Sequence, residues 1–509
     1  MTEMEIDSVQ DEFARQTQSF MQWFRDLPGA TFHKDIQMVD LRGHGAGRGI
    51  IATADIEPDT VLFTIPRPSI ITTTTSSLAT HLPSIFSESE SEGDPSNDAW
   101  TRLILVLMYE YLRGPSSPWA PYLTLLPASF STPMFWSDSE IAELQASSVV
   151  SKIGRDSAEG MIRSRILPVI TSHPSVFFPS GDRPSDDDLV GLAHRCGSAI
   201  MAYAFDLDSP DSDSDSDEGA EDGWAEDRDA QRELGMVPMA DMLNADAEFN
   251  AHIHHAPDFL TATSLRRIPA GEEVLNYYGP LPNGELLRRY GYVTPRHSRY
   301  DVVELPWGLV EPHLRSALSA NYGVTETQWG QVDALLARQR EEDEEEEEED
   351  DETFVIERTT PDPESTGLFP PTPQPAITAL PEDLTERVKK FLKTVSKVSS
   401  SPELKDKPTR TKIQLETVRL ALIDRERQYP TTLEDDEFFL SSVPNTPRTN
   451  KEMAVYVRAG EKRLLRETQA WIAAELAKLT SSSSDNTSRV RSREGEGEAD
   501  TPSAKRRRT

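Results

Sequence analysis

The chain has 509 residues, a formal net charge of −35 and one cysteine, Cys196. Such a length suggests two or three domains. The charge argues against nucleic acid as a direct ligand and favours basic protein partners. A lone cysteine excludes intrachain disulfides and a cysteine-cluster zinc site, and it fits a reducing compartment. The opening MTEMEIDSVQDEF is acidic and has no apolar leader core. No run of about 18 apolar residues is present, so no membrane contact is expected. The expectation is a soluble intracellular monomer.

Residues 13–27 read as an amphipathic helix, with Phe20, Trp23, Phe24 and Leu27 on one face. A strand is expected at 36–41. The loop GHGAGRG follows, from Gly43 to Gly49, then a strand at 50–52, a turn at 56–59 and a strand at 61–65. Alternating glycines let backbone N–H and C=O groups approach a ligand closely. The loop lacks the Gly-Lys-Ser/Thr of a phosphate loop and the spacing of a dinucleotide fingerprint. Alone it is more simply a hairpin turn.

Residues 72–98 are polar. A helix is expected at 99–113, where Trp100, Leu103, Ile104, Leu107 and Tyr111 recur at helical spacing. The connector PSSPWAPYLTLLP follows, then a helix at 137–145 with Ser137 as cap and another at 186–205. Residues 206–229 form a first acidic run, and 341–352 a second; such runs are usually solvated. Ser212, Ser214 and Ser216 stand in a context that acidophilic kinases use, although a length-tolerant surface loop is the simpler reading.

The densest mixture of Asn, Asp, Tyr and Gly among apolar residues lies at 236–293. An apolar run at 236–243 is interrupted by Asp241 and closed by Asn244. A turn, a short strand at 273–278 and a stop at Gly279-Pro280 come next, then a helix at 283–290 with Gly291 as its C-cap. Polar groups on such elements must be hydrogen-bonded or useful. For Tyr277, Tyr278 and Tyr290 the plain reading is packing with a hydrogen-bonded tip; for Asp241 it is a turn carboxylate. His252, His254 and His255 invite a metal, but no cysteine or carboxylate clearly converges on them, and none is expected.

Beyond Val293 a last strand of the first unit is expected at 302–305, with helices at 313–322 and 328–338. Residues 341–381 read as an acidic, then Pro/Thr-rich, disordered loop. Helices are expected at 384–398, 411–427 and 451–479. The tail, 480–509, ends in Lys505, Arg506, Arg507 and Arg508, which suit a nuclear-import signal or a solvated basic end.

Four blocks together resemble the SET-domain protein-lysine methyltransferases, in the branch similar to the Rubisco methyltransferases. These are GRGIIATADI with VLFTIPR, SSPWAPYLTLLP, MVPMADMLNAD and IPAGEEVLNYYGPLPNGELLRRYGYV. YPTTLEDDEFFL and AVYVRAGEKRLL are similar to that branch's helical substrate-binding domain. Within the branch, NADAEFNA, NGELLRRYGYV and SRYD are most similar to a fungal group of ribosomal lysine methyltransferases. The resemblance implies an α+β fold: a SET domain of small β-sheets over 31–300, preceded by an N-terminal helix at 1–30. A helical insertion would occupy about 72–205 and the acidic loop 206–229. An all-α substrate-binding domain would begin at 301–340 and resume at 382–479.

The resemblance also implies transfer of a methyl group from S-adenosylmethionine to a lysine of a basic protein, a 60S ribosomal protein or another nuclear protein, with nuclear localisation. It assigns Tyr290 and Tyr278 to catalysis. It assigns Gly47, Arg48, Gly49, Asn244, Ala245 and Tyr290 to the cofactor, and Asp241 and Tyr277 to the substrate. Two positions depart from the family pattern. Ala245 stands where many members have histidine, so only a backbone contact would remain. Ala202-Tyr203-Ala204-Phe205 replaces Ser-Arg-x-Phe, so Tyr203 stands in the arginine position. These departures motivate an alternative, a catalytically weak binding module for basic nuclear proteins. The acidic runs alone would motivate an acidic scaffold.

Overall fold

Phe20 and Phe24 are four residues apart and share a face of the helix Glu3–Asp26. Both are fully buried, and Phe20 meets Tyr122 with ring centroids 6.2 Å apart. The computed structural model describes residues 3–86, 99–207, 233–343, 352–443 and 449–494. Most of the first acidic run with Ser212, Ser214 and Ser216, most of the second, and the Lys505–Arg508 cluster lie outside the described residues. Two units are distinct: Met1–Asp301, Thr360–Pro375 and Glu434–Gly460 form one, and Val302–Thr359, Ala376–Leu433 and Glu461–Thr509 the other.

In the first unit, Ile36–Asp40 and Arg48–Ala52 form an antiparallel hairpin across the glycine loop. A four-stranded antiparallel sheet runs in the order Thr31–Phe32, Val61–Pro66, Phe259–Ser264, Ala251–His255. The insertion is helical. Ala99–Leu112 buries ten of its residues, too many for a single stripe, as a helix in the interior of a domain should. Asp186–Tyr203 starts with Ser185 and Asp188 in a reciprocal cap. It ends where Ala204–Asp206 pairs with Leu234–Met236, so the first acidic run leaves and re-enters through a two-stranded ladder.

The strand expected at 273–278 is limited to Leu275–Asn276, which pairs in parallel with Asn244–Ala245. The strand expected to close the first unit, Val303–Pro306, belongs to the second and pairs with Thr353–Ile356. Thr353–Ile356 falls in the stretch expected to be a disordered loop. Its Phe354 and Ile356 are buried and alternate with half-buried neighbours, the period of a strand. Around this ladder lie the helices Trp307–Tyr322, Glu326–Asp343, Glu382–Val398 and Lys407–Arg427. Trp307 packs edge-on to Phe354 and Phe391.

Residues 434–460, expected in the substrate-binding domain, belong to the first unit. Arg458 there donates to Asp436 at 2.9 Å, and Tyr456 shares a hydrogen bond with Ser298 at 3.1 Å. Met453, Ala454 and Val457 pack with Trp136, Val149 and Leu287. The last helix, Asn450–Glu494, continues past 480, where a disordered tail was expected. Between residue 480 and Gly495 the sequence holds no glycine or proline to interrupt it.

Candidate active site

Residues 272–276 join the glycine loop to the 244–245 strand. The Ala52 N–H donates to the Glu272 carbonyl at 2.9 Å and the Val274 N–H to the Ile50 carbonyl at 2.7 Å. Leu275 pairs with Asn244 on the other side. Asn250, fully buried, holds this segment in place. Its carboxamide nitrogen donates to the Glu273 carbonyl at 2.8 Å, and its oxygen accepts from the Leu275 N–H at 2.8 Å. The Asn244 carboxamide closes the junction, donating to the Arg48 carbonyl at 3.1 Å and to Glu273 Oε1 at 2.6 Å.

Glycine at 49 is required by this junction. A Cβ there would lie 2.6 Å from Glu273 Oε1 and 3.0 Å from Asn244 Nδ2. At Gly47 a Cβ would meet nothing within 4 Å, so its backbone borders open space. The Arg48 side chain turns away to the N-terminal helix. Nε donates to Thr17 Oγ1 at 2.9 Å, an amino nitrogen donates to the Phe13 carbonyl at 3.2 Å, and the guanidinium stacks on the Phe13 ring. Burial, aided by the nearby Arg42 charge, lowers its pKa to about 10. Only the Arg48 backbone therefore remains with the Asn244 junction.

The helix Asn283–Tyr290 carries Tyr290 and stops at Gly291, whose φ of 77° is left-handed. Tyr290 stacks on Tyr278, with ring centroids 4.7 Å apart and planes inclined by 18°. The Tyr278 hydroxyl donates to the Leu243 carbonyl at 3.1 Å. Burial, with Tyr292 and Tyr290 nearby, raises the Tyr278 pKa well above that of an ordinary phenol. Tyr292 stands behind Tyr290 and donates to the Ala245 carbonyl at 3.5 Å. Tyr277 takes the opposite direction. It stacks on Phe249 at 4.6 Å and shares a hydrogen bond with Tyr300. The structure thus brings Asn244, Ala245, Tyr278 and Tyr290 together and places Tyr277 in a separate aromatic cluster.

Asp241 is buried beneath these tyrosines. Its Oδ2 accepts a 2.6 Å hydrogen bond from the Tyr122 hydroxyl. Burial raises its carboxyl pKa to about 7, against the lowering effect of that bond and of the Asp241 and Met239 N–H groups. Tyr203 lies within range of both Asp241 and Tyr290, and burial raises its pKa as well. Tyr122, Asn250, Glu273 and Tyr292 were not singled out from sequence. Tyr122 lies in a block that carries the resemblance, which is the signal that could have found it. Elsewhere, His252 and His254 meet edge to face at 4.7 Å. Among the described residues no group of three or more His, Cys, Asp or Glu could hold a metal ion, and no helix is long and apolar enough to cross a membrane.

The SET domain family matches residues 47–279 and the Rubisco LSMT substrate-binding family matches residues 383–465. Ribosomal lysine N-methyltransferase 4 of Saccharomyces cerevisiae is 34% identical over 299 residues, covering 58% of this chain and 59% of that protein. N-lysine methyltransferase setd6 of Danio rerio is 36% identical over 263 residues, covering 50% of this chain and 52% of that protein. The chain thus spans less than two thirds of these relatives' lengths. The crystal structure of the SET domain of LSMT bound to MeLysine and AdoHcy shares the fold, with a TM-score of 0.58 at 19% identity, over 91% of this chain and 93% of that one. Residues 47–279 of this α+β chain, which hold the Asn244 junction and the 272–276 segment, thus match the SET domain, and residues 383–465 match the Rubisco LSMT substrate-binding domain, on a fold shared with the LSMT structure.

Proposed function

We propose that the chain is a protein-lysine N-methyltransferase that uses S-adenosylmethionine and acts on a lysine of a 60S ribosomal protein. The observation that carries this reading is the Tyr278–Tyr290 stack beside the Asn244 junction, where the glycine loop and the last two motif blocks meet. The name of the yeast relative supports a ribosomal substrate, and the formal charge of −35 suits a basic partner.

The residues present fit the cofactor through backbone groups. Gly47 leaves room beside its backbone, and Gly49, Arg48, Asn244 and Ala245 offer main-chain atoms along one edge. When bound, S-adenosylmethionine supplies an electrophilic methyl carbon on a positively charged sulfur. The protein must then align a lysine amine, exclude water and let the amine be neutral. An apolar channel and a nearby positive charge both favour the neutral amine. Tyr290 orients the amine through its hydroxyl. Tyr278, tied to the Leu243 carbonyl, forms a rigid wall that keeps water out.

Labelled-methyl transfer into a ribosomal protein extract tests the reading. Wild type should label a discrete band, and Tyr290→Phe should lose roughly 100-fold or more, the usual effect of removing one positioned donor. Retained cofactor binding with no labelled band for the wild type would sink the reading. A label only in non-ribosomal nuclear proteins would redirect the substrate. Nuclear localisation is proposed from the basic cluster Lys505–Arg508; removing those four residues should move a fluorescent fusion to the cytoplasm.

A further inference from the structure

The glycine loop is held from outside by the N-terminal helix Glu3–Asp26. Gln16 and Thr17 follow Phe13 by three and four residues, so the three share one face of that helix. The Phe13 ring meets two guanidinium groups, those of Arg42 and Arg48, each with its central carbon 3.8 Å from the ring centroid. Arg48 adds hydrogen bonds. Its Nε donates to Thr17 Oγ1 at 2.9 Å, and an amino nitrogen donates to the Phe13 carbonyl at 3.2 Å and to Gln16 Oε1 at 3.4 Å. The Thr17 hydroxyl in turn donates to the Phe13 carbonyl at 2.9 Å. The helix is anchored further along, where Phe20 and Phe24 are fully buried and Trp23 Nε1 donates to the Pro118 carbonyl at 2.9 Å.

Packing alone does not ask for this arrangement. Burial, and then the charge of Arg42, lower the Arg48 pKa, so gathering both cations at one ring has a cost that the ring must offset. The loop between them has little other support. Among the described residues, the hydrogen bonds of residues 41–47 stay within the hairpin. The Leu41 N–H donates to the Gly47 carbonyl at 2.9 Å, the Gly45 N–H to the Arg42 carbonyl at 3.2 Å, and Arg42 to Asp40 at 2.7 Å. Gly47, with open space beside it, is fixed only through these neighbours. We propose that the N-terminal helix latches the cofactor loop: Phe13 and Thr17, acting through Arg42 and Arg48, are positioning residues that hold the Gly47–Gly49 backbone ready for the cofactor. The inference rests on the methyltransferase reading above, which sets S-adenosylmethionine against that backbone.

A latch of this kind acts on affinity rather than on chemistry. Tyr278 and Tyr290 are held by their own stack and by the Leu243 carbonyl. Loosening the loop therefore weakens cofactor binding and leaves turnover at saturating cofactor unchanged. Coupling between two sites is also reciprocal. If the docked helix favours bound cofactor, bound cofactor must favour the docked helix, and a helix that merely packs would show no such response.

Calorimetric titration with S-adenosylhomocysteine compares full-length wild type, Phe13→Leu, Phe13→Tyr and Thr17→Val. Phe13→Leu keeps apolar bulk and loses the ring face, so binding should weaken roughly 5- to 30-fold, the effect of one desolvated cation–ring contact. Phe13→Tyr keeps the face and should bind within about twofold of wild type. Thr17→Val removes the acceptor of Arg48 Nε and should weaken binding roughly 2- to 10-fold. Methyl transfer into ribosomal protein extract should show Phe13→Leu raising KM for S-adenosylmethionine to the same degree, with kcat within about twofold. Hydrogen exchange reads the coupling without activity: the ligand should slow exchange over residues 13–20 in wild type and not in Phe13→Leu. Wild-type affinity in Phe13→Leu, an equal loss in Phe13→Tyr, or exchange over 13–20 that ignores the ligand in wild type overturns the inference. Should Phe13→Leu misfold, Thr17→Val and the wild-type exchange still decide. A wild type that binds S-adenosylhomocysteine but transfers no methyl group overturns the enzyme reading alone, and the binding and exchange data then decide the latch. A wild type that binds none overturns both.

Discussion

Gly49→Ala is the most local perturbation of the Asn244 junction. The new methyl group would stand 2.4 Å from Leu41 Cδ1 and 2.6 Å from Glu273 Oε1. The leucine methyl ends a flexible side chain and can swing aside. The glutamate oxygen cannot move without lengthening its 2.6 Å bond from Asn244. A hydrogen bond to a charged group contributes about 1.5–3 kcal/mol. Overpacking by one methyl typically adds about 1–3 kcal/mol. The variant should therefore lose on the order of 2–4 kcal/mol of stability, and a pocket built on Asn244 should bind S-adenosylhomocysteine roughly 10- to 100-fold more weakly. Chemical denaturation and calorimetric titration measure the two effects. Wild-type stability together with wild-type affinity would refute the reasoning, since the methyl would then have found room that the junction does not offer.

Asn250→Ala leaves the Glu273 carbonyl and the Leu275 N–H without their partner, so denaturation should show a loss of about 2–4 kcal/mol. Arg458→Ala strands the buried carboxylate of Asp436, and the melting transition should fall by the equivalent of about 3–5 kcal/mol. Burial works to raise the pKa of Glu285, but Arg288 and then Arg289 outweigh it and hold the carboxyl at about 2. A folded-state pKa depressed below the unfolded value of about 4.3 gives stability that is present above that pH and lost as pH falls toward 2. Wild type should thus exceed Glu285→Gln by on the order of 2–3 kcal/mol at pH 6, and the difference should shrink to about 1 kcal/mol or less by pH 2.5; a constant difference between the two would count against the pairing.

The helices were legible in the sequence because their signals are local. Ala99–Leu112 shows its spacing within four residues, Asp186–Tyr203 its cap at Ser185, and Asn283–Tyr290 its stop at Gly291. The motif blocks also marked Asn244 and Tyr290, since their resemblance needs only residue order. What the sequence left open depended on partners far along the chain. Neighbouring residues of a strand point to opposite faces, so nothing local separates Tyr277 from Tyr278. Tertiary packing separates them, setting Tyr278 against Tyr290 and Tyr277 against Phe249. Thr353–Ile356 was hidden for a similar reason, because four residues carry little period and its partner is Val303–Pro306. The Tyr122–Asp241 bond spans 119 positions, and Asn250 and Glu273 matter through atoms more than twenty residues away. Composition, periodicity and motif order thus decided the main helices and which family the blocks resemble; only the folded chain decided which distant strands and polar groups pair, which face each tyrosine takes and that the Tyr122 hydroxyl reaches Asp241.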